Sequence, residues 1–270
     1  MISRNCFVGG LNLQLFHRRA GRTGILLIHG NSSCKEVFAR QLKDLSKTKL
    51  GIVAPDLPGH GGSDDSRRPS TTYSFPGYAR VLSQLMRSLG YSSFHVMGWS
   101  LGGHIGIEML ASDSAVRSLL ITGTPPVRLT PEGVARGFRW TAATALAGRK
   151  TFSQDDVRRY TTAMMGKRLR NDHRLLEMAR RTDGDARHWM VANGMAGRGA
   201  DEIDVVSTSD RPIAVVQGKS DPFLRVDYLE RVPFRNLWRR NPILIDAGHA
   251  AHWETPTEFN DAMMDFVTNH

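Results

Sequence analysis

The sequence predicts an α/β fold, with a mostly parallel central sheet that helices cover on both faces. Three observations support this prediction. Short apolar runs typical of buried strands alternate along the chain with segments of helical periodicity. The length of 270 residues suits one large domain with an insertion, and 40% hydrophobic with 23% charged residues is a globular composition. One long stretch, residues 125–209, interrupts the alternation.

The predicted elements follow a strand–helix order. Leu11, Leu13 and Leu15 alternate with polar residues, which is typical of a half-buried strand. The later strands are apolar runs that we expect to be buried on both faces: 25–28, 51–54, 94–97, 119–121, 213–216 and 243–245. Helical spacing of apolar residues predicts helices at 37–45, 78–89, 101–110 and 256–267.

Residues 125–209 contain no convincing strand and carry several helical patterns. A stretch of this length between two strands of a sheet is not expected to be a bare loop. We therefore expect residues 1–124 and 210–270 to form the core, and residues 125–209 to form an inserted helical cap.

The composition argues against several classes of protein. The formal net charge is +10, but the basic residues are scattered and no nucleic-acid motif accompanies them, so we expect a basic surface and no nucleic-acid partner. Two cysteines, Cys6 and Cys34, make no disulfide framework. Because no signal peptide or apolar span is visible, we expect a cytoplasmic protein without a membrane partner, either a monomer or a homodimer.

A G-x-S-x-G pattern occupies Gly98 to Gly102, between a predicted strand and a predicted helix. A sharp turn at this point strains the serine backbone and exposes the Ser100 hydroxyl at the tip of the sheet, near a helix N-terminus. The pattern predicts a catalytic nucleophile; the alternative is a glycine-rich turn with an incidental serine.

His29-Gly30-Asn31 directly follows the strand at 25–28. The glycine allows a sharp turn, after which the backbone N–H of Asn31 can point to the same spot as that of Leu101. Two such donors would stabilise a tetrahedral oxyanion. A plain turn is the alternative.

The general base is expected from a histidine near the C-terminus. His249 follows Gly248 directly after the last strand and is favoured over His252, which we interpret as a packing residue or as a residue that supports the catalytic ones. The orienting acid should precede it, and Asp221, at the end of the strand at 213–216, is favoured over Asp246. His60 and His104 are interpreted as structural.

These motifs together resemble the α/β-hydrolase superfamily. They occur in the family's order: His29 to Ser33, Pro55 to Ser63, Gly98 to Gly103, Asp221 to Phe223, and Gly248 to His249. Further segments are similar to the metal-independent N-acylhomoserine lactone lactonases of this superfamily: Gly98 to Met109, Ile121 to Val127, Ala179 to Ala186, Pro212 to Val216, and Asn236 to Trp238.

The resemblance implies an α/β-hydrolase fold with Ser100 as nucleophile, His249 as base, and Asn31 and Leu101 as oxyanion donors, and it implies no metal or other cofactor. It also implies that Tyr160 reaches the substrate, and we place Trp99 and Gly30 among the substrate-binding residues. The relatives carry Glu at the position of Asp221. Two departures concern the site: Cys34 stands where serine is expected, and Ala251-His252-Trp253 differs from the relatives.

The predicted reaction is serine hydrolysis of the lactone through an acyl-enzyme. Apolar residues of the predicted cap are candidates to surround the acyl chain: Phe138, Trp140, Met164, Met165, Trp189 and Met190. A general carboxylesterase or a C–C bond hydrolase would use the same triad, and the core motifs do not separate these activities. A non-catalytic ligand receptor is the alternative from another class, and the complete set of serine, histidine and acid argues against it.

Overall fold

An eight-stranded sheet forms the centre of the protein in a computed structural model that describes residues 2–166 and 173–270. The order across the sheet is β1-β2-β4-β3-β5-β6-β7-β8. The strands are β1 (Ile2–Val8), β2 (Leu11–Arg18), β3 (Thr23–Ile28), β4 (Gly51–Pro55), β5 (Ser93–Trp99), β6 (Val116–Thr122), β7 (Ile213–Gly218) and β8 (Ile243–Ile245). Strands β3 to β8 pair in parallel, so the mostly parallel sheet is confirmed.

Strand β1 is the one strand that the sequence reasoning missed. It lies at the sheet edge, pairs antiparallel with β2 and leaves most of its side chains exposed, so it shows no buried apolar face. The connecting residues Gly9 and Gly10 both have positive φ, at 60° and 81°. A Gly-Gly pair between two short extended segments is a hairpin signal that would have identified this strand.

The helices match the predicted ones with small shifts in their bounds. The segment predicted at 37–45 starts as a 3₁₀ turn, Lys35–Phe38, and continues as a helix. The helix predicted at 78–89 begins earlier, at Phe75, because the Ser74 side chain accepts a hydrogen bond from the Gly77 N–H at 3.1 Å. The helices are α1 (Ala39–Leu45), α2 (Pro69–Thr72), α3 (Phe75–Ser88), α4 (Leu101–Ser112), α5 (Pro131–Gly137), α6 (Gln154–Met165), α7 (His173–Arg181), α8 (Gly184–Met195), α9 (Glu202–Thr208), α10 (Ala251–Glu254) and α11 (Pro256–Thr268).

Apolar side chains fill both faces of the sheet. Tyr78 of α3, Ile105 of α4 and Val206 of α9 belong to the core on one face. Leu42 of α1 and Phe259 of α11 belong to the core on the other face. Burial on both sides explains why the parallel strands read as continuous apolar runs.

Helices α5 to α9 lie between β6 and β7, and the described residues of 125–209 form no strand. Helix α9 packs against α4 of the core. The division into a core and a cap at residues 124/125 and 209/210 stays a prediction. Within the described residues, no helix combines the length and the apolar character needed to cross a bilayer.

The carboxyl ends of the parallel strands meet at one edge of the sheet. The chain leaves β3 towards β4 on one side, while β5 pairs on the other side of β3, so the strand order reverses at this point. Open α/β sheets place their ligands at such a reversal. Four predicted site residues follow strand ends here: Asn31, Ser100, Asp221 and His249.

Candidate active site

Ser100 occupies a strained turn between β5 and α4. Its backbone has φ 55° and ψ −120°, a left-handed conformation that is costly for a residue other than glycine. A Cβ atom on Gly98 would collide with the Gly102 carbonyl, and one on Gly102 would collide with the Ile28 carbonyl. The glycines of the G-x-S-x-G pattern are therefore required by backbone packing, and Ser100 stays partly exposed at the cavity floor.

His249 and Asp221 form a buried pair. His249 Nδ1 lies 2.8 Å from Asp221 Oδ2, and both side chains are almost completely buried. Burial alone would raise the pKa of the Asp221 carboxyl, but the electrostatic interaction with His249 and hydrogen bonds from His249, the Phe223 N–H and Gln217 lower that pKa below its usual value. Asp221 is therefore held as a carboxylate that orients the imidazole.

The two alternatives left by the sequence take other positions. Asp246 is exposed, and the structure pairs Asp221 with His249 instead. The His252 ring is buried against Trp99 and Phe38, and neither of its ring nitrogens has a hydrogen-bond partner among the described residues. His252 is thus a packing residue, as interpreted from the sequence.

Trp99 contacts His249 through both its indole N–H and its ring. Its indole N–H donates to the His249 carbonyl at 2.9 Å, and its ring lies 5.7 Å from the imidazole. The side chain is fully buried and does not line the cavity. These contacts position His249, and a direct contact of Trp99 with substrate stays a prediction.

His249 Nε2 is the ring nitrogen available for chemistry. It is buried and has no hydrogen-bond partner among the described residues, while Nδ1 is occupied by Asp221. Phe223 packs 4.6 Å from the ring, and a Cβ on Gly123 would lie 2.9 Å from its Cε1 atom. The imidazole is therefore confined on several sides, and its free nitrogen borders the cavity that Ser100 also lines.

The predicted oxyanion donors flank Ser100. Neither the Asn31 N–H nor the Leu101 N–H donates to another described residue. Gly30 is close-packed, since a Cβ there would lie 3.2 Å from Ser100 Cβ and 3.1 Å from the Trp99 ring. We therefore assign Gly30 a steric role, and its direct contact with substrate stays a prediction.

His29 fixes the turn that carries Asn31, a role that sequence reasoning missed. Its Nδ1 lies 2.8 Å from the Gly30 carbonyl, and its Nε2 accepts from the Leu57 N–H at 3.0 Å. Burial lowers the pKa of His29 to about 4, so the ring is neutral and donates from Nδ1. The histidine before Gly30 is the signal that could have suggested this role.

Asn31 and Tyr160 connect the turn after β3 to the segment between β6 and β7. The Asn31 amide donates to the Tyr160 hydroxyl at 3.1 Å and to the Ala147 carbonyl at 2.9 Å. Tyr160 packs against Phe152 and Phe223, and burial raises the pKa of its hydroxyl. Tyr160 lines the cavity, and its contact with substrate stays a prediction.

A cavity of about 210 Å³ opens above Ser100 and His249. Its lining is mostly apolar and includes four of the predicted acyl-chain residues: Phe138, Trp140, Met164 and Met190. Met165 and Trp189 pack into the hydrophobic cores instead and do not line it. A cavity with this lining suits a ligand whose carbonyl lies at Ser100 and whose apolar chain extends into the cavity.

Cys34 lies outside the cavity. Its side chain is fully buried in the core, and burial raises the pKa of its thiol well above the usual value. The neighbouring Lys35 pairs with Asp56 at 2.8 Å, and the Asp56 carboxylate also accepts from the Lys35 N–H at 2.7 Å and the Gly62 N–H at 2.9 Å. Asp56 therefore organises the loop after β4, which the sequence reasoning did not anticipate.

In the described part of the chain, no group of three or more His, Cys, Asp or Glu residues is arranged to hold a metal ion.

Comparisons with known proteins agree with this geometry. A model of the "Alpha/beta hydrolase family" matches residues 25–262. A variant of the N-acyl homoserine lactonase AidH, crystallised with N-hexanoyl homoserine lactone, is 39% identical, with a TM-score of 0.93 and coverage of 99% of this chain and 97% of that one. The same lactonase complexed with N-butanoyl homoserine superposes with the same score and identity, over 99% of this chain and 96% of that one.

Curated relatives are more distant. The dihydrolipoyllysine-residue acetyltransferase component of the acetoin cleaving system from Cupriavidus necator is 24% identical over 94% of this chain and 66% of its own length. The fluoroacetate dehalogenase from Burkholderia sp. is 31% identical over 50% of this chain and 42% of its own length. The chain thus spans less than two thirds of the length of these two relatives.

Proposed function

Because the chain belongs to the alpha/beta hydrolase family, as its motifs predicted, we propose that it opens the lactone ring of N-acylhomoserine lactones by serine hydrolysis. One observation carries the choice of substrate. The chain is 39% identical, over 99% of its length, to a lactonase crystallised with such a lactone. That coverage includes the segment between β6 and β7, which supplies most of the cavity lining.

The first step forms an acyl-enzyme. Ser100 Oγ attacks the lactone carbonyl while His249 Nε2 accepts its proton, and Asp221 stabilises the resulting imidazolium through Nδ1. Negative charge develops on the carbonyl oxygen, and the N–H groups of Asn31 and Leu101 stabilise it there. The carbon–oxygen bond of the ring then breaks as His249 returns the proton to the leaving oxygen.

The leaving group stays attached in this reaction. Because the broken bond is part of a ring, the homoserine hydroxyl remains covalently linked to the acyl group on Ser100. His249 then activates a water molecule, which attacks the Ser100 ester and releases the open-chain N-acylhomoserine. The hydroxyl competes with water to close the ring again, so the access of water to His249 Nε2 determines which fraction of the acyl-enzyme is hydrolysed and which returns to lactone.

The alternative of a general esterase can be tested directly. Purified protein is incubated with N-hexanoyl homoserine lactone, and mass spectrometry follows the product that is one water heavier. Ser100→Ala should lower kcat by at least about 10³-fold, whereas Ser112→Ala, an exposed serine at the other end of α4, should not. Hydrolysis of p-nitrophenyl esters without lactone opening would refute the lactonase proposal and favour an esterase.

A further inference from the structure

The His104 imidazole is a polar group in the mostly apolar lining of the cavity. His104 lies on α4 one turn after Ser100, and its N–H is 3.4 Å from the Ser100 carbonyl. Its ring lines the cavity together with Phe75 and Phe138. These two rings are stacked on it, with centroids 5.3 Å and 5.8 Å away. The two aromatic neighbours therefore restrict the tilt of the imidazole ring.

Glu202 fixes the remaining rotation of the ring. Its Oε1 lies 2.6 Å from His104 Nδ1, and its Oε2 accepts from the Val127 N–H at 2.9 Å. The Glu202 side chain is 2% exposed, so this pair is a buried, fully engaged unit. With Nδ1 held by Glu202, the other ring nitrogen is directed away from the carboxylate.

His104 Nε2 is free to meet a ligand. It makes no hydrogen bond with a described residue, and the ring to which it belongs lines the cavity. A purely structural histidine needs only the contacts to Glu202 and the two phenyl rings. An unpaired ring nitrogen in a mostly apolar part of the lining, beside Phe75 and Phe138, favours a ligand that carries a hydrogen-bonding group at that depth.

The spacing indicates which atom of the substrate lies there. His104 lies four positions after Ser100, which corresponds to a rise of about 6 Å along the helix axis. In an N-acylhomoserine lactone, the third carbon of the acyl chain is five bonds from the lactone carbonyl, and at about 1.2 Å per bond of extended chain this is also about 6 Å. A hydroxyl on that carbon both donates and accepts, so it matches Nε2 in either protonation state of the ring.

We propose that His104, oriented by Glu202, is a specificity-determining residue that selects acyl chains bearing a hydroxyl on the third carbon. This inference rests on the proposed lactonase function. An unsubstituted chain would cover Nε2 without offering it a hydrogen-bonding partner, whereas the hydroxyl provides one.

The test compares kcat/KM for N-(3-hydroxyhexanoyl) and N-hexanoyl homoserine lactone, with both enantiomers of the hydroxyl assayed separately. The wild-type protein should favour the better enantiomer about five- to tenfold, and His104→Phe should reduce the ratio to about one. His104→Gln, which keeps a group that donates and accepts, should retain part of the preference. The matched control is Met190→Leu, an apolar change in the same lining, which should alter both substrates by a similar factor.

Each outcome is decisive. Opening of both lactones with the same ratio in the wild-type protein and in His104→Phe would overturn this inference alone. Failure of the wild-type protein to open either lactone would overturn the proposed function as well. Circular dichroism checks that the variants fold, and His104→Leu replaces His104→Phe if the larger ring prevents folding.

Discussion

Asp221→Asn is the sharpest test of how the site is held. The carboxylate accepts three hydrogen bonds: Oδ1 from the Phe223 N–H at 2.8 Å, and Oδ2 from Gln217 Nε2 at 2.9 Å and from His249 Nδ1 at 2.8 Å. The asparagine side chain has one oxygen and one NH₂ group in place of the two carboxylate oxygens, Oδ1 and Oδ2. Whichever way its amide turns, an NH₂ group faces at least one N–H donor.

The consequence for catalysis follows from the orientation. With the amide oxygen kept on Phe223, the NH₂ group faces His249, whose Nδ1 must then become an acceptor. The ring proton moves to Nε2, which can no longer take the proton of Ser100, and a loss of about 10⁴-fold in kcat is the expected result. The opposite orientation leaves two buried donors facing each other near Phe223, at a cost of about 1–3 kcal/mol in the free energy of unfolding.

The assay is kcat for lactone opening, together with urea unfolding of each variant. Asp246→Asn is the matched control, because it makes the same chemical change on an exposed residue three positions before His249. Asp221→Glu restores the charge and should recover much of the activity. Activity of Asp221→Asn within tenfold of wild type, in a folded protein, would refute the assignment of Asp221 as the orienting acid.

Two further predictions concern packing and pH. Gly123→Ala places a Cβ 2.9 Å from His249 Cε1 and should lower kcat more than tenfold. The control is Gly90→Ala, which also has a positive φ, of 84°, but lies on an open surface and should therefore lower only the stability of the protein. Equal kcat values in the two variants would contradict this prediction. Burial lowers the pKa of four histidines to about 3 or 4, so these rings gain protons only on unfolding: His29, His60, His95 and His252. Their contribution to stability is present above the unfolded pKa of about 6.5 and is lost as pH falls towards 4, by about 1.4 kcal/mol per pH unit for each ring. His252→Phe, which replaces two unpartnered nitrogens, should reduce this slope by about one ring's share without destabilising the protein at pH 8, and an unchanged slope in denaturant titrations would count against it.

Local sequence signals were sufficient for the elements that carry the chemistry. The turn at Ser100 was predictable because its backbone sterically requires glycines on both sides, and the whole pattern lies within five consecutive residues. Asp221 and Asn31 were predictable because each directly follows an apolar strand, and parallel strands bring their carboxyl ends to one edge. The favoured choice of His249 rested on the same argument.

Contacts between residues distant in sequence were beyond the same reasoning. The buried Trp99 indole donates to the carbonyl of His249, which lies 150 residues later in the chain, and no local pattern around Trp99 indicates this contact. Glu202 gave no signal at all, since its partner His104 lies 98 residues earlier on another helix. The Lys35–Asp56 pair was hidden for the same reason: a buried ion pair leaves no periodic pattern in either segment.

The bonds that hold the base and its acid have a consequence for the evolution of such proteins. Gln217, Phe223 and Trp99, which position Asp221 and His249, all lie outside residues 125–209. An exchanged segment would leave these positioning bonds in place if it kept two kinds of contact: acceptors for the Asn31 amide, where Tyr160 and the Ala147 carbonyl now lie, and a donor for the Phe223 carbonyl, where the Arg139 N–H now lies. Most of the cavity lining therefore varies with one segment, while the bonds that hold the base and its acid lie elsewhere in the chain, and the Asn31 amide is one of the contacts that a new segment must preserve.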